Sequence, residues 1–222
     1  MSYVSGQVVL WEETLTYLRS LPAGDYLLQV VNRQKGSKKT HDLYTAVCSL
    51  DMMEEKLAEV DVLARYVWAN DKDLTPVVYM SNVRIDQAKG YETILRVESS
   101  KLLMNKSIKA RLLSTTKPAY LGMYRDYTTV DLDVPENVRS EVRRQVVAMI
   151  KDLKACSYDV RARATNGGFH VTVSTAYSGA YHLEKSLGLF NLLEYKDKAG
   201  KDVLSPLVGT CQKGTVVGAL DV

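Results

Sequence analysis

Asp131 and Asp133, separated by one residue, are the side chains in this sequence best suited to chemistry. They lie in Tyr127–Val134, where polar and apolar residues alternate, so we predict a β-strand on which both carboxylates point to the same side. Paired carboxylates are natural ligands of Mg²⁺ or Mn²⁺, which enter catalysis by bridging phosphate oxygens. The alternative is a surface strand with two solvated aspartates, since aspartates mostly lie exposed.

A second candidate group is the segment from Thr165 to His170, which contains the run Asn166-Gly167-Gly168. Alternating residues on either side, in Val160–Ala164 and Phe169–Ser174, predict a β-hairpin whose turn needs positive φ at these residues. Glycines also allow backbone amides to approach a phosphate closely. His170 is then either a site residue or a strand histidine with local hydrogen bonds.

The elements around these groups predict the order strand, helix, strand, strand, helix, strand. After the first strand, Pro135 begins a helix that runs to Ala155 and has an apolar stripe at Val138, Val142, Val146, Met149 and Leu153. The hairpin follows, then a helix at His182–Leu193 and a last strand at Thr215–Val222. This order is the ferredoxin-like (RRM-like) plan of many nucleic-acid recognition modules.

In this plan the first and third strands are neighbours, so Asp131, Asp133 and His170 are expected to share one open face of the sheet. We expect these two strands to run parallel. A stagger between them is then needed for the polar groups to meet.

Residues 1–118 predict a separate α/β unit. Its elements are a helix at Glu12–Leu21, strands at Tyr26–Arg33, His41–Ser49 and Pro76–Ile85, a helix capped by Asp51, and a helical or mixed segment at Gln87–Leu113. The polar stretch near Ser114–Tyr120 connects this unit to the second one, residues 119–222. The predicted fold class is therefore α+β, with the N-terminal α/β unit packed on the ferredoxin-like unit in one compact module.

Composition narrows the class of protein. The chain has 222 residues, a net charge of +3 and a pI of about 8.6, which permits a nucleic-acid partner without requiring one. Its three cysteines have neither disulfide-framework nor zinc-knuckle spacing, and no apolar run reaches the ~18 residues of a membrane span. We expect a cytoplasmic protein with no membrane partner. The common ATPase, dinucleotide-binding, hydrolase and zincin motifs are absent from the sequence.

The motifs Val130-Asp131-Leu132-Asp133-Val134-Pro135 and Thr165-Asn166-Gly167-Gly168-Phe169-His170-Val171 together resemble the archaeo-eukaryotic primase (primase-polymerase) superfamily, in particular a small stand-alone member. The resemblance implies a metal-dependent nucleotidyltransferase in DNA replication that makes or extends a primer on a single-stranded template. Nucleoside triphosphates would be its substrates. A replication partner protein is a further implied partner, and the location would be the host cytoplasm if a virus or mobile element encodes the chain.

The resemblance also implies site residues. Asp131, Asp133 and His170 would form the catalytic set, with Mg²⁺ or Mn²⁺ on the aspartates and the nucleotide's phosphates on the histidine. Thr165, Asn166, Gly167, Gly168, His170 and Lys213 would bind the nucleotide. The family's third acid has no obvious match; Asp197, Asp202 and Asp221 are candidates. If the last strand runs antiparallel beside the first, Asp221 lies far from Asp133, so Asp202 is taken as the third metal ligand and Asp197 as the alternative.

Two other functions fit the same residues. One is a non-catalytic nucleic-acid-binding module of ferredoxin-like fold, and the other is a metal-dependent nuclease or phosphodiesterase. Arg161 and Arg163 share one face of their strand, where they either meet template phosphates or lie exposed. Both enzyme interpretations require Asp131 and His170 on the same face of the sheet.

Overall fold

The structure is a computed structural model that describes residues 3–33, 40–71, 74–93, 127–174, 192, 195–199 and 204–220. The helices are α1 (Trp11–Arg19), α2 (Leu50–Asn70) and α3 (Arg139–Ala155), and residues 87–93 are also helical. The strands are β1 (Asp25–Arg33), β2 (Thr40–Ser49), β3 (Pro76–Ser81), β4 (Tyr127–Asp133), β5 (Val160–Ala164), β6 (Gly168–Ser174), β7 (Lys196–Ala199), β8 (Leu204–Pro206), β9 (Cys211–Gln212), β10 (Thr215–Val216) and β11 (Gly218–Ala219). The mixed α+β class predicted from the sequence is confirmed.

The first sheet has the strand order β2-β1-β3-β8, with antiparallel neighbours. Helix α2 covers it with an apolar stripe, which is buried at Met53, Leu57, Val60, Ala64 and Val67. Met53, Leu57 and Val60 share a core with strand residues such as Leu28 and Val78. The predicted cap at Asp51 is wrong: the helix begins at Leu50, and Asp51 lies in its first turn, where a negative charge suits the helix dipole.

The second sheet has the order β11-β5-β6-β4-β7, again with antiparallel neighbours. A 3₁₀ turn at Glu136–Val138 leads into α3, which lies on one face of this sheet. Val142, Val146 and Ile150 of α3 share a core with Leu132 of β4 and Val171 of β6. The strand, helix and hairpin predicted for this half are therefore present in the structure.

The neighbouring strands β4 and β6 are antiparallel, not parallel as we expected from the sequence. The predicted order itself requires this direction. The helical crossover makes β4 and β5 parallel, and the hairpin makes β6 antiparallel to β5 and therefore to β4. In the observed register Asp131 lies directly opposite His170, and Asp133 lies opposite Gly168. No stagger is needed to bring the polar groups together.

The prediction of one last strand at Thr215–Val222 is also wrong. This segment forms two short strands, and neither of them pairs with β4. The chain changes partner at Val217, so β10 pairs with β9, and β11 pairs with the outer side of β5. Strand β7 is the element that adjoins β4 on its other side. The predicted helix at His182–Leu193 lies outside the described residues apart from Leu192, which is buried.

The face of the second sheet opposite α3 is polar, and much of it is buried. Arg161 and Arg163 are only 9% and 2% exposed, so neither is available to a template or to solvent, contrary to both sequence interpretations. Arg163 donates hydrogen bonds to the Pro206 carbonyl oxygen (2.9 Å), the Tyr17 hydroxyl (2.6 Å) and Asn82 Oδ1 (3.4 Å). These contacts bind the second sheet to α1 and to the first sheet.

The end of the chain returns to the first sheet. Met80 of β3 pairs with Ser205 of β8, and the Thr14 hydroxyl of α1 donates to the Val208 carbonyl. Residue 118, the predicted boundary between two units, lies outside the described residues. In the described part of the chain, no helix is both long and apolar enough to cross a membrane.

The burial of Tyr26 predicts a loss of stability at alkaline pH. Desolvation raises the pKa of Tyr26 to about 12, from 10.0, and its hydroxyl donates to the Pro22 carbonyl at 2.8 Å. Because the pKa is higher in the folded state, this stabilisation is complete below about pH 10 and is lost as the pH rises towards 12. We expect a contribution of ~2 kcal/mol over this range.

This expectation is checked by urea unfolding at a series of pH values for the wild type and Tyr26→Phe. The variant should have a shallower decline in unfolding free energy between pH 10 and 12. Tyr66→Phe is the control, because Tyr66 is largely exposed and its removal should leave the slope unchanged. Equal slopes in the wild type and Tyr26→Phe would contradict the prediction.

Candidate functional site

A cavity of about 260 Å³ opens at the end of the polar face where β4 and the β5–β6 loop meet the chain that follows β7. Seven of the residues predicted from the sequence line it: Asp131, Asp133, Thr165, Asn166, Gly167, His170 and Lys213. The two motifs and the distant lysine are therefore brought to one place. Gly168 is a strand residue behind this wall, opposite Asp133 in the register.

Asp131 and His170 contact each other across β4 and β6. Their side chains are 16% and 10% exposed, and Nε2 of His170 lies 3.2 Å from Oδ1 of Asp131. Both therefore lie on the same face of the sheet, as both enzyme interpretations require. A carboxylate only accepts hydrogen bonds when ionised, so Nε2 is the protonated nitrogen when this contact forms.

The second nitrogen of His170 contacts the first sheet. Its Nδ1 atom lies 3.1 Å from Oγ of Ser205, a residue of β8 with no exposed surface. Serine, histidine and aspartate thus form a line, the residue types of a hydrolase triad. Ser205 does not line the cavity, however, so its hydroxyl has no access to a substrate there and is not a nucleophile.

The β5–β6 loop is closed by its own hydrogen bonds. The Thr165 N–H donates to the Gly168 carbonyl at 2.9 Å, and the Gly168 N–H donates to Thr165 Oγ1 at 3.2 Å. Neither Gly167 nor Gly168 has positive φ, so the reason given for these glycines from the sequence is wrong. Gly168 is needed because a Cβ there would lie 1.8 Å from the Leu132 carbonyl oxygen.

Arg139 holds this loop from the other side. Its guanidinium, at the start of α3, donates to the Asn166 carbonyl at 2.8 Å and to the Thr165 carbonyl. Arg139 was not predicted from the sequence as a site residue. The sequence does contain an indication of this role. An arginine in the first turn of a helix is disfavoured by the helix dipole, so its presence there indicates that another contact holds it.

The β9–β10 hairpin forms the opposite part of the wall. Lys213 and Gly214 make its two-residue turn, with φ of 50° and 84°, as type I′ turns require. Gln212, which precedes them, accepts a hydrogen bond from the Asn166 N–H at 3.2 Å. The turn therefore places the Lys213 cation on the cavity wall and ties it to the β5–β6 loop. Gln212, Tyr79, Leu204 and Pro206 also line the cavity and were not predicted from the sequence.

The two aspartates suit Mg²⁺ or Mn²⁺ in chemistry and placement. Mg²⁺ is usually bound by one or two carboxylates together with waters and substrate phosphates, so a pair of ligands is compatible with it. Among the described residues, no group of three or more His, Cys, Asp or Glu side chains is arranged to hold a metal ion. Asp202 and Asp221 lie outside those residues, whereas Asp197 lies in β7 at the irregularity opposite Asp131 and Leu132.

Comparisons with known proteins give no independent assignment: no family model matches the sequence, and no curated protein or solved structure matches it either. The geometry of the cavity is therefore the basis on which a function is assigned.

Proposed function

We propose that this protein is a metal-dependent nucleotidyltransferase, similar to primase-polymerases, that makes or extends a primer on a single-stranded template. The observation that carries the proposal is the placement of Asp131, Asp133 and His170 on one face, at a cavity whose wall also holds Lys213. The two aspartates, which can bind a metal ion, and the lysine, which can bind phosphates, then line a single site. The partners are the template, nucleoside triphosphates and a replication partner protein, in the cytoplasm.

The topology of the second sheet supports a ferredoxin-like unit. Counted from β4, its first four strands have the spatial order second, third, first and fourth, and all neighbours are antiparallel. Helix α3 joins the first strand to the second across one face, as in a β-α-β-β-α-β unit. The opposite face is left to carry the site.

The cavity suits the phosphates of a nucleotide and their cation. Its volume of about 260 Å³ lies slightly below the ~300–1,000 Å³ of pockets that enclose a whole ligand. The base and the template therefore lie outside it in this proposal. Asp131 and Asp133 hold Mg²⁺ or Mn²⁺, which supplies positive charge to the reacting phosphates. Lys213 lines the same space, where its ammonium would act as a point charge for a phosphate oxygen.

The β5–β6 loop offers a further phosphate contact. No acceptor for the Gly167 N–H is found within the described part of the chain, and Gly167 borders the cavity. Arg139 and Gln212 fix this loop before any ligand binds. A donor held in place in this way loses little freedom when it contacts a phosphate, which is the advantage of a preorganised site.

His170 must give up its hydrogen bond to Asp131 before its Nε2–H can bind a phosphate. Its Nε2–H is directed at Asp131, and contact with a phosphate oxygen replaces one anionic acceptor by another. The hydrogen bond stays charge-assisted in both arrangements, so the exchange conserves most of its strength. In this proposal, nucleotide binding to His170 therefore frees the Asp131 carboxylate from its hydrogen bond.

The test is single-nucleotide incorporation on primed and unprimed single-stranded templates, with labelled nucleotides and either Mg²⁺ or Mn²⁺. We expect the wild type to extend or initiate strands, and Asp131→Asn and Asp133→Asn to lower the rate by at least ~10²-fold, because each removes a negative ligand without changing shape. Asp152→Asn on the exposed side of α3 is the matched control and should retain the wild-type rate.

Two outcomes would contradict the proposal. Template degradation that depends on the same two aspartates would identify a nuclease. Template binding without any turnover, equal in the wild type and in both aspartate variants, would identify a non-catalytic binding module.

A further inference from the structure

We propose that Ser205 is a positioning residue of this site: its buried hydroxyl donates to Nδ1 of His170 and so keeps the ring proton on Nε2, facing Asp131. The proposed effect on the ring holds whatever reaction the site performs. Its consequence for catalysis rests on the function proposed above.

The three side chains come from three strands of two sheets. Asp131 lies on β4 and His170 on β6 of the second sheet, whereas Ser205 lies on β8 of the first sheet and is held by its pairing with Met80. The Ser205 hydroxyl has no exposed surface and lies 3.1 Å from Nδ1, on the opposite side of the ring from Asp131. The imidazole is therefore held at both nitrogens between the two sheets.

When His170 is neutral, the chemistry of the three groups fixes the direction of the hydrogen bonds. A neutral imidazole has one donor and one acceptor nitrogen, and an ionised carboxylate accepts only. Nε2 must then donate to Asp131, which leaves Nδ1 as an acceptor. A serine hydroxyl is able to donate to it. If Ser205 is replaced by alanine, Nδ1 loses that donor and the ring loses its anchor on the first sheet.

Ser205 is uncharged, so its hydroxyl acts on the position of the ring proton and leaves the net charge of the site unchanged.

A buried serine with a hydrogen bond is also consistent with a purely structural role. The two roles differ in what the loss of the hydroxyl changes. A structural serine affects only the free energy of unfolding. A positioning serine changes the tautomer of His170 and the turnover of the site, while nucleotide affinity changes less. Outer-shell partners of this kind typically contribute ~10- to 100-fold.

The experiment measures the ¹⁵N shifts of the imidazole nitrogens in protein labelled at histidine. The chain has three histidines, and the His170 signals are identified by their loss in His170→Gln. In the wild type near neutral pH we expect His170 as the Nε2–H tautomer. In Ser205→Ala we expect averaged shifts from a mixture of tautomers, with kcat for nucleotide incorporation lowered ~10- to 100-fold and KM changed less.

Two further variants separate positioning from loss of fold. Thr172→Val removes a buried hydroxyl from the same face of β6, where it contacts Thr129, and should leave the His170 shifts unchanged. Ser205→Thr restores a hydroxyl and should return the wild-type tautomer. Unfolding curves for all the variants show whether each one is folded.

An Nδ1–H tautomer or an imidazolium in the wild type near neutral pH, or an unchanged tautomer in folded Ser205→Ala, would overturn the proposal. Failure of the proposed function gives a different result. A wild type that has the Nε2–H tautomer but no nucleotide incorporation refutes the nucleotidyltransferase and supports the role of Ser205 in holding the ring.

Discussion

Replacing Gly168 by alanine is expected to destabilise the protein by about 3 kcal/mol. The added methyl group would lie 1.8 Å from the Leu132 carbonyl oxygen and 3.1 Å from the Val134 backbone nitrogen. Both neighbours are backbone atoms of or next to β4, so no side-chain rotation relieves the clash. The ends of β4 and β6 must instead move apart, at the pair that joins Asp133 to Gly168.

This movement would also change the site. Asp131 and His170 form the register pair two residues further along the same strands, so separation of the strands lengthens the contact between Nε2 and Oδ1. We therefore expect Gly168→Ala to lower nucleotide incorporation even under conditions where the variant is folded.

Urea unfolding monitored by circular dichroism measures the effect. Gly218→Ala is the matched control, because its glycine also lies in the second sheet and nothing stands within 4 Å of an added Cβ. That change should be neutral or stabilise by up to ~1 kcal/mol, since alanine restricts the unfolded chain. Equal stability of the two variants would show that β4 and β6 do not approach as closely as the structure indicates.

Arg163→Ala is expected to destabilise the protein by about 4 kcal/mol. The guanidinium is 2% exposed and donates to Pro206, Tyr17 and Asn82, and burial lowers the pKa of this side chain from its usual value. Its removal leaves a cavity between the two sheets and takes the Arg163 hydrogen bond away from all three groups. An unpaired buried polar group alone costs ~1–3 kcal/mol.

Arg163→Lys separates charge from shape. Lysine keeps the positive charge, but its single ammonium cannot reproduce a planar fork with several donors, so we expect it to be destabilised as well. Arg144→Ala removes an arginine whose side chain is 77% exposed and should change the free energy of unfolding by less than ~0.5 kcal/mol. A loss below ~1 kcal/mol in Arg163→Ala would contradict the idea that this residue joins the two sheets.

The local elements of the second half were predictable because their periodicity is strong. Alternation in β4 and the apolar stripe of α3 predicted which side of each element is buried, and Asp131 and His170 were correctly expected on one face. Gly168 was predicted to be important, but as a turn residue with positive φ, whereas it is required by the close approach of the Leu132 carbonyl. A turn conformation can be inferred from local sequence, whereas the approach of another strand's carbonyl cannot.

The parts of the site that were missed are those that depend on distant contacts. Ser205 and Gln212 carry no motif. Ser205 contacts His170, and Gln212 lines the cavity, because the chain after β7 returns to the first sheet and then forms the β9–β10 hairpin. Arg161 and Arg163 were correctly placed on one face, but whether that face meets solvent or another sheet depends on packing that alternation does not encode.

Because the chain returns to the first sheet only after position 204, the site is completed late in synthesis. On a ribosome, α1 and β3 emerge early, but Val208, whose carbonyl is one of two acceptors within reach of the Thr14 hydroxyl, follows 194 positions later. Until then one edge of β3 lacks its partner strand, a feature that promotes association between chains. Contacts so distant in sequence also slow folding, to roughly milliseconds to seconds in small domains. A nascent chain would therefore expose both aspartates well before Ser205 can anchor His170, and the complete cavity would form only after translation has passed the β9–β10 hairpin.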